Sequence, residues 1–598
     1  MAQHSRGTTV PGQSPATLPG PAAGHRLLAL DIVLALLALA GGLRVLYLAA
    51  PAPALPAEAA NVAHAYALGH LTPFTDAGGA GVSPFGWWQL SAYTMVTDAF
   101  GRSATALAAV RETMIVASVI GVVLLWFLAR RTGLTRWASA AAALLLAASP
   151  LALGLQRLVV VEHLAVVWAL GALVLLTRPG ARIRHDVLAA LCLLAAALTS
   201  PLALVFLPAA GWLLVRRSPV RAALVAVLLN LGLGIAFGPA ADALRPHLAD
   251  PGRPSVADWV ALDPAWAVLS TVALVAALAV ASLRPFAVTG LLLVGALLVP
   301  GVPDTAVLAL LLPLTPLLLA GVVQAVTRHR APAHRGNPRR RGGITVAALV
   351  LVAIVAAGWV YGYPALRPST DRAGPLAGAQ EWLRANASGA RVLVDDAAWA
   401  ELAKAGWPTG MLVAPAACAA ECPPAEWAVF AGDAADLRTR YPAIDAAFDG
   451  SGPTAIFGDV TVSRLGLPPT DPTAPSESSA RAHAGAALAA STRIAFAPDA
   501  AAVLRAGHVD PRLIATIAAL AAFQPVRVAA FPAVPGEESA GQPRRQVLLT
   551  GGEDGVAAFY TGQRDLFRPA SVTRTGGGVL VTYPLFAPPG LLVPFSSP

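Results

Sequence analysis

The run LARRTGLTRWASAAAALLLAASPLAL, Leu128–Leu153, decides how the chain is read. One apolar stretch ends in Arg130-Arg131, a Thr-Gly turn follows, Arg136 opens a second stretch, and Ser149-Pro150 interrupts that one near its end. Apolar runs joined by a short arginine-rich gap are what paired membrane helices present on the cytoplasmic side. A helix needs about 20 apolar residues to cross the hydrocarbon core. Read with that ruler, the chain gives eleven spans, at 27–50, 104–129, 136–154, 158–177, 186–199, 201–215, 219–238, 265–282, 286–300, 305–326 and 344–362.

Composition agrees. Of 598 residues 56% are hydrophobic and 13% charged, which excludes an ordinary soluble enzyme. The net charge of +9 does not point to nucleic acid, because the basic residues fall in short gaps between apolar runs and make no exposed basic face with aromatics between. Lys404 is the sole lysine, so arginine carries nearly all the positive charge. Residues 1–26 are polar and rich in Pro and Gly and read as a disordered cytoplasmic tail; the run after them is too long for a signal peptide.

Charge sets the topology. With the N-terminus inside, the clusters Arg130/Arg131/Arg136, Arg178/Arg182/Arg184, Arg216/Arg217/Arg221, Arg284 and Arg328–Arg341 all face the cytoplasm. The stretches 186–199 and 201–215 meet at Ser200-Pro201 and make either one kinked helix or a hairpin. A single span puts the later clusters on the wrong side, so the hairpin is expected. The loops 51–103 and 239–264 and everything after 362 then face outward. The chain thus reads as a polytopic α-helical protein of the cytoplasmic (plasma) membrane, its transmembrane domain at 27–362.

Beyond it, helical stretches such as AGAQEWLRANA alternate with β-like ARVLVD and TAIFGDVTVSRLG, giving an exported α/β domain at 363–467. A Pro/Ser/Thr-rich linker, 468–480, leads to a second α/β domain at 481–598 with helix-like DPRLIATIAALAAF and strand-like VRVAAF, RQVLLTG and GGVLVTY. Cys418 and Cys422 are spaced for a small disulfide on the exported side, and neither α/β domain carries a Gly-rich phosphate loop, a Ser-His-Asp set or an HExxH motif.

The candidate site residues lie in the outward segments. In PAEAANVAHAY, Pro56–Tyr66, Glu58 stands at the mouth of the first span and shares a helix face with Asn61. GGAGVSPFGWWQLSAY carries Trp87 and Trp88 on a stretch suited to the headgroup level. In GLQRLVVVEHLAVVW, Gly154–Trp168, the ionisable Arg157, Glu162 and His163 sit in or beside apolar sequence, where such groups pair or function. The bland readings are a solvated loop for Glu58 and Asn61, a snorkelling Arg157, and a Glu162 favoured by its helix dipole. The mixed charges of 239–264 read mainly as a solvated face.

The order of these features resembles a GT-C class polytopic glycosyltransferase, in the bacterial branch related to protein mannosyltransferases and aminoarabinose transferases. AEAANVAHAYAL, GVSPFGWWQL and ASPLALGLQRLVVVEHLAVVW stand where that family has its acidic first outer loop, its DHPPLGW-like segment and a span entered through SPL to a further acid. The resemblance covers roughly 27–465. This chain has Ala57-Glu58 where the family often has Asp-Glu, Gly81-Val82 before Ser83-Pro84 where it has Asp-His, Glu162-His163 for a later Asp-Asn pair, and Thr199-Ser200-Pro201 where many members carry a lysine. The resemblance implies transfer of a sugar from a polyprenyl-phosphate donor to a glycan, lipid or protein acceptor at the outer membrane face. It implies Glu58 as general base and Glu162 as the carboxylate that steadies the sugar cation or holds a divalent metal. Arg157, or that metal, then offsets the leaving phosphate, and Asn61, Tyr66, Trp87 and His163 bind substrate. Two other readings stand beside it: a non-catalytic relative that binds a lipid carrier or partner protein, and a transporter or flippase, for which no internal repeat appears.

Overall fold

The computed structural model describes residues 21–46, 56–74, 84–180, 182–237, 255–299, 302–329, 338–366, 373–432, 435–448, 451–466 and 475–592. The chain divides into two compact units. One comprises Met1–Ala49, Met114–Ala241 and Leu248–Leu366; the other comprises Ala50–Thr113, Asp242–His247 and Arg367–Pro598.

The first unit is helical, and the described residues of the apolar runs lie largely in helix. The first helix, Pro21–Leu46, begins inside the expected tail. Two helices are long and apolar enough to cross a membrane among the described residues, Ala106–Arg131 and Asp304–Arg328, or up to four if each of two bent pairs is one span. Shorter apolar helices include Glu162–Leu176 and Arg284–Ala296. In Pro264–Ala277 the apolar Val268, Val272 and Val275 are about 60% exposed, whereas Ser270, Ala273 and Ala277 are buried. A soluble protein seldom exposes such a stripe; outward apolar and inward small residues suit a helix facing lipid.

Ser149-Pro150 bends the chain by 57° between Arg136–Ala148 and Pro150–Gln156. Proline has no N–H to return to the turn before it, so carbonyls at the bend lose helical partners. The structure replaces them. Arg44 donates to Ala147 O at 3.1 Å and to Leu146 O at 3.4 Å, and the Tyr363 hydroxyl donates to Ala148 O at 2.7 Å. Arg44 also bonds Gln156 Oε1, which ties both arms of the bend to the first helix. A second elbow, of 106°, lies at Asp263 between Val256–Leu262 and Pro264–Ala277. Asp263 accepts from Trp266 N at 3.0 Å and from Ser149 Oγ at 2.8 Å, so the two elbows are joined. Gly362 sits where they meet, and a Cβ there would stand 2.1 Å from Leu262 O and 2.8 Å from Pro150 Cβ.

The choice at Ser200-Pro201 is settled by Arg217. Ile183–Thr199 ends in extended backbone at Ser200, a short 3₁₀ turn Pro201–Phe206 follows, and Leu207–Arg217 runs back. Its last residue, Arg217, meets Asp186 at 3.3 Å near the start of the preceding helix, as does Arg221 at 3.3 Å. This is a hairpin. Arg217 also reaches Arg178 O, Arg131 reaches Val174 O, and Gln324 bonds Thr135 N and Gly133 O, so the arginine-rich turns gather at one end of the bundle.

The second unit carries two five-stranded sheets. In the first, β1 (Val392–Val394) lies between β2 (Leu412–Val413) and β3 (Trp427–Ala431), both parallel to it, and the hairpin β4 (Pro453–Phe457) and β5 (Val460–Arg464) adds antiparallel in the order β2-β1-β3-β5-β4. The second has the order β6-β7-β8-β10-β9, from β6 (Ile494–Phe496), β7 (Val526–Ala530), β8 (Gln546–Thr550), β9 (Ser571–Thr575) and β10 (Gly578–Thr582), with only the β6–β7 pair parallel. Alternate residues Val526 and Val528, Val547 and Leu549, Val579 and Val581 form its core with Ile514, Ile517 and Leu520 of the Pro511–Phe523 helix, as period-two strands and a 3.6-period helix require. The expected linker 468–480 is helical from Pro475 on, in Pro475–Ala489; its earlier residues lie outside the described ones. The two lobes are tied: Trp382 Nε1 donates to Glu537 Oε1 at 2.8 Å, Arg545 Nη2 to Asn386 Oδ1 at 2.8 Å, and Ile456 N to Gly536 O at 2.9 Å. Cys418 and Cys422 are bonded as a disulfide.

Candidate active site

PAEAANVAHAYALG forms the helix Pro56–Gly69 because proline suits a first helical turn, six alanines favour helix, and glycine ends it. Its small side chains let it bury nearly all round. Glu58, in the first turn, is 5% exposed and Arg111 4%. Arg111 Nε donates to Glu58 Oε1 at 2.9 Å and Nη2 to Oε2 at 3.1 Å, a two-point clamp that fixes the carboxylate plane. Arg111 lies 53 residues downstream, in the first turns of Ala106–Arg131.

One turn on, Asn61 Oδ1 accepts from Trp87 Nε1 at 2.7 Å, and the His64 ring stacks on Trp87 with centroids 3.5 Å apart. Trp87 is buried and Trp88 is 63% exposed, so Pro84–Val96 turns one indole to the Glu58 helix and one away. The far end of the Glu58 helix is held by Asp396–Lys404. The Tyr66 hydroxyl donates to Ala403 O at 3.0 Å, and Phe74 meets Trp399 with centroids 4.5 Å apart. From that same helix Glu401 accepts from Ala106 N at 2.9 Å and Leu107 N at 3.2 Å, capping the helix that bears Arg111. Burial pushes the Glu401 carboxyl above its ordinary range, although the two amides and Lys404 pull the other way.

Arg157, Glu162 and His163 belong to the first unit. Arg157 is buried and donates through Nη1 to Leu366 O at 3.4 Å. Glu162 opens Glu162–Leu176, is half-buried, and accepts from Ser200 Oγ at 3.1 Å. His163 Nε2 bonds Leu155 O at 2.8 Å, closing an end carbonyl of Pro150–Gln156. Ser200 is the tip of the hairpin opposite the arginine-rich turns, so Glu162 lies toward that other end. Of the mixed-charge loop, residues 238–254 lie outside the described ones, and Asp263 is the buried elbow residue.

The expected site residues thus form two groups: Glu58, Asn61, Tyr66 and Trp87 in one unit, Arg157, Glu162 and His163 in the other. Three partners escaped the sequence reading. Arg111 is a charge inside an apolar run, a signal that asks for a buried acid. His64 and Glu401 carry no local signal, since their partners are remote in sequence. Among the described residues no three His, Cys, Asp or Glu side chains group to hold a metal ion, and His163 Nε2 bonds a backbone carbonyl.

No family model matches the sequence, and no curated protein does. Among solved structures the chain is similar to the oligosaccharyltransferase AglB from Archaeoglobus fulgidus in complex with an inhibitory peptide and a dolichol-phosphate, at 11% identity and a TM-score of 0.49 over 72% of this chain and 73% of that one. It is similar to ArnT from Cupriavidus metallidurans bound to undecaprenyl phosphate, at 14% identity and 0.46, over 74% of this chain and 98% of that one. It is also similar to the arabinofuranosyltransferase AftD from Mycobacteria, at 17% identity and 0.45, over 72% of this chain. The chain spans 64% of the length of the apo Archaeoglobus enzyme and 40% of AftD.

Proposed function

We propose that the chain is a membrane glycosyltransferase that moves a sugar from a polyprenyl-phosphate donor to an acceptor hydroxyl on the outer face of the cytoplasmic membrane. The observation that carries this reading is the Glu58 carboxylate, fixed by Arg111 at the head of an outer-loop helix. A general base must be ionised and held in place before substrate arrives. Arg111 holds the Glu58 carboxylate in one plane through its two-point contact. Glu58 takes the proton of the acceptor hydroxyl as the acceptor oxygen bonds to the anomeric carbon. The bond from that carbon to the phosphate oxygen breaks, and polyprenyl phosphate leaves with the electron pair. In the same proposal Arg157 serves the phosphate and Glu162 the sugar, while Asn61, Tyr66 and His163 position the helices that bear the acids. Eleven spans with the α/β lobes outside complete it, the gathered arginine turns marking the cytoplasmic end.

Proteoliposomes given a short-chain polyprenyl phosphate bearing a labelled hexose or pentose test the reading. Glu58→Asp keeps the charge that Arg111 needs and withdraws the base by one methylene. Transfer should fall by about 10²–10⁴-fold in kcat with binding of the lipid retained. Equal rates in both proteins sink the role of Glu58.

The runner-up is a non-catalytic relative that holds a lipid carrier. What favours it is that Glu58, Asn61, Tyr66 and Trp87 all have protein partners. It predicts lipid retention with no transfer from any donor in that assay.

A further inference from the structure

Glu58 and Arg111 stay clamped only while the helices that bear them keep their distance, and one helix of the first α/β lobe touches both. Asp396–Lys404 is anchored in that lobe's sheet. Asp395 caps it, accepting from Ala398 N at 2.7 Å, and accepts from Ala431 N of β3 at 2.5 Å. Trp399, 2% exposed, fixes its middle. Its last turns then hold the two helices at once. Ala403 O accepts from the Tyr66 hydroxyl at 3.0 Å, about two turns beyond Glu58 on the Pro56–Gly69 helix. Lys404 Nζ donates to Ala104 O at 3.3 Å, and Glu401 accepts from Ala106 N at 2.9 Å and Leu107 N at 3.2 Å.

The amides of a first helical turn have no acceptor within their own helix. At the start of Ala106–Arg131, Thr105 Oγ takes Ala108 N at 3.1 Å, the usual local cap. The other two amides go to Glu401, 295 residues from Ala106 in sequence. Stability alone asks only for acceptors, which nearby chain can supply as Thr105 does. A remote carboxylate adds something a local cap lacks: it fixes where the helix start stands. Ala106 is fully buried, so without Glu401 its N–H reaches another acceptor only if the turn shifts or frays. Arg111 lies five residues on, about 7.5 Å along the axis, and would move with that turn. Its bonds to Glu58, at 2.9 and 3.1 Å, lengthen directly with such a shift. A displacement of about 1 Å in a reacting group costs on the order of 10²-fold in rate.

We propose that Glu401 is a positioning residue for sugar transfer: acting from the α/β lobe, it holds Arg111 in register with Glu58 and so keeps the base aimed. The inference rests on the reading of Glu58 as the base. The test uses the full-length protein in the proteoliposome assay, with Glu58→Asp as the reference for the base itself. Glu401→Leu keeps side-chain bulk and removes both acceptors. Glu401→Gln keeps one acceptor oxygen and carries the test if the leucine variant fails to fold. Per folded molecule, kcat should fall by about 10²-fold in Glu401→Leu and by less in Glu401→Gln, with KM for the donor within about twofold of wild type. Hydrogen exchange in the same proteins should quicken over 106–113 and also over Pro56–Gly69, with β7 to β10 unchanged. A cap that steadies only its own helix would change the first stretch alone. Wild-type kcat in either Glu401 variant beside a slowed Glu58→Asp, a raised KM in place of the lowered kcat, or faster exchange confined to 106–113 would overturn the proposal. Wild-type transfer by Glu58→Asp is the distinct result that removes the base, and the role of Glu401 with it.

Discussion

At the scale of single residues, the Glu58–Arg111 pair dominates. Both side chains are buried, so removing one leaves the other charged without its partner. Glu58→Gln alone should lower stability by about 3–5 kcal/mol, and Glu58→Gln with Arg111→Gln should recover most of it. Thermal unfolding of the four proteins in detergent measures the cycle; additive losses would show that the pair is not coupled. Glu401 gives a pH prediction. Its folded-state pKa lies above the unfolded value, so the folded state holds the proton more tightly. The stability this contributes is complete below the ordinary carboxylate range and is lost as pH rises through the raised value. The thermal midpoint of wild type should therefore fall across that window, and Glu401→Gln should flatten the fall; parallel pH curves would contradict it. Glu58 was legible in the sequence as a lone acid at the mouth of a span. Its partner was not, because Arg111 lies in a different helix and only the fold sets the two face to face.

At the scale of elements, the bend at Ser149-Pro150 stands on a side chain from another helix. The Pro150 break was visible in the sequence; that Arg44 and Tyr363 would satisfy its carbonyls was not, since each lies more than 100 residues away. Arg44→Met strands buried carbonyls at a cost of about 1–3 kcal/mol each, and Arg44→Lys should rescue only part, because a point charge cannot span Leu146, Ala147 and Gln156 as a fork does. Thermal midpoints of the two variants check this, and an equal, full rescue by lysine would show that charge alone matters. Strand and helix runs of the α/β lobes were legible from period alone. The hairpin at Ser200 was legible from arginine placement, because loop charge and helix direction are physically linked.

For the whole molecule, the sequence reads as a helical membrane part followed by two α/β lobes, and the structure adds that the lobes form one unit with Ala50–Thr113. That grouping arises from long-range contacts such as Tyr66 with Ala403, which no local pattern encodes. The proposed topology puts Thr132 in the cytoplasm and Ser451 outside. In a protein with Cys192 replaced by alanine, Thr132→Cys should react with an impermeant maleimide only after permeabilisation, and Ser451→Cys in intact cells. The reverse pattern would invert the topology. The central claim, sugar transfer from a polyprenyl carrier with Glu58 as base, is tested most directly by native mass spectrometry of wild type beside the paired Glu58→Gln, Arg111→Gln variant. The account predicts spent polyprenyl phosphate on wild type and the glycosylated carrier retained on the variant; no polyprenyl lipid on either protein, or the same species on both, would contradict it.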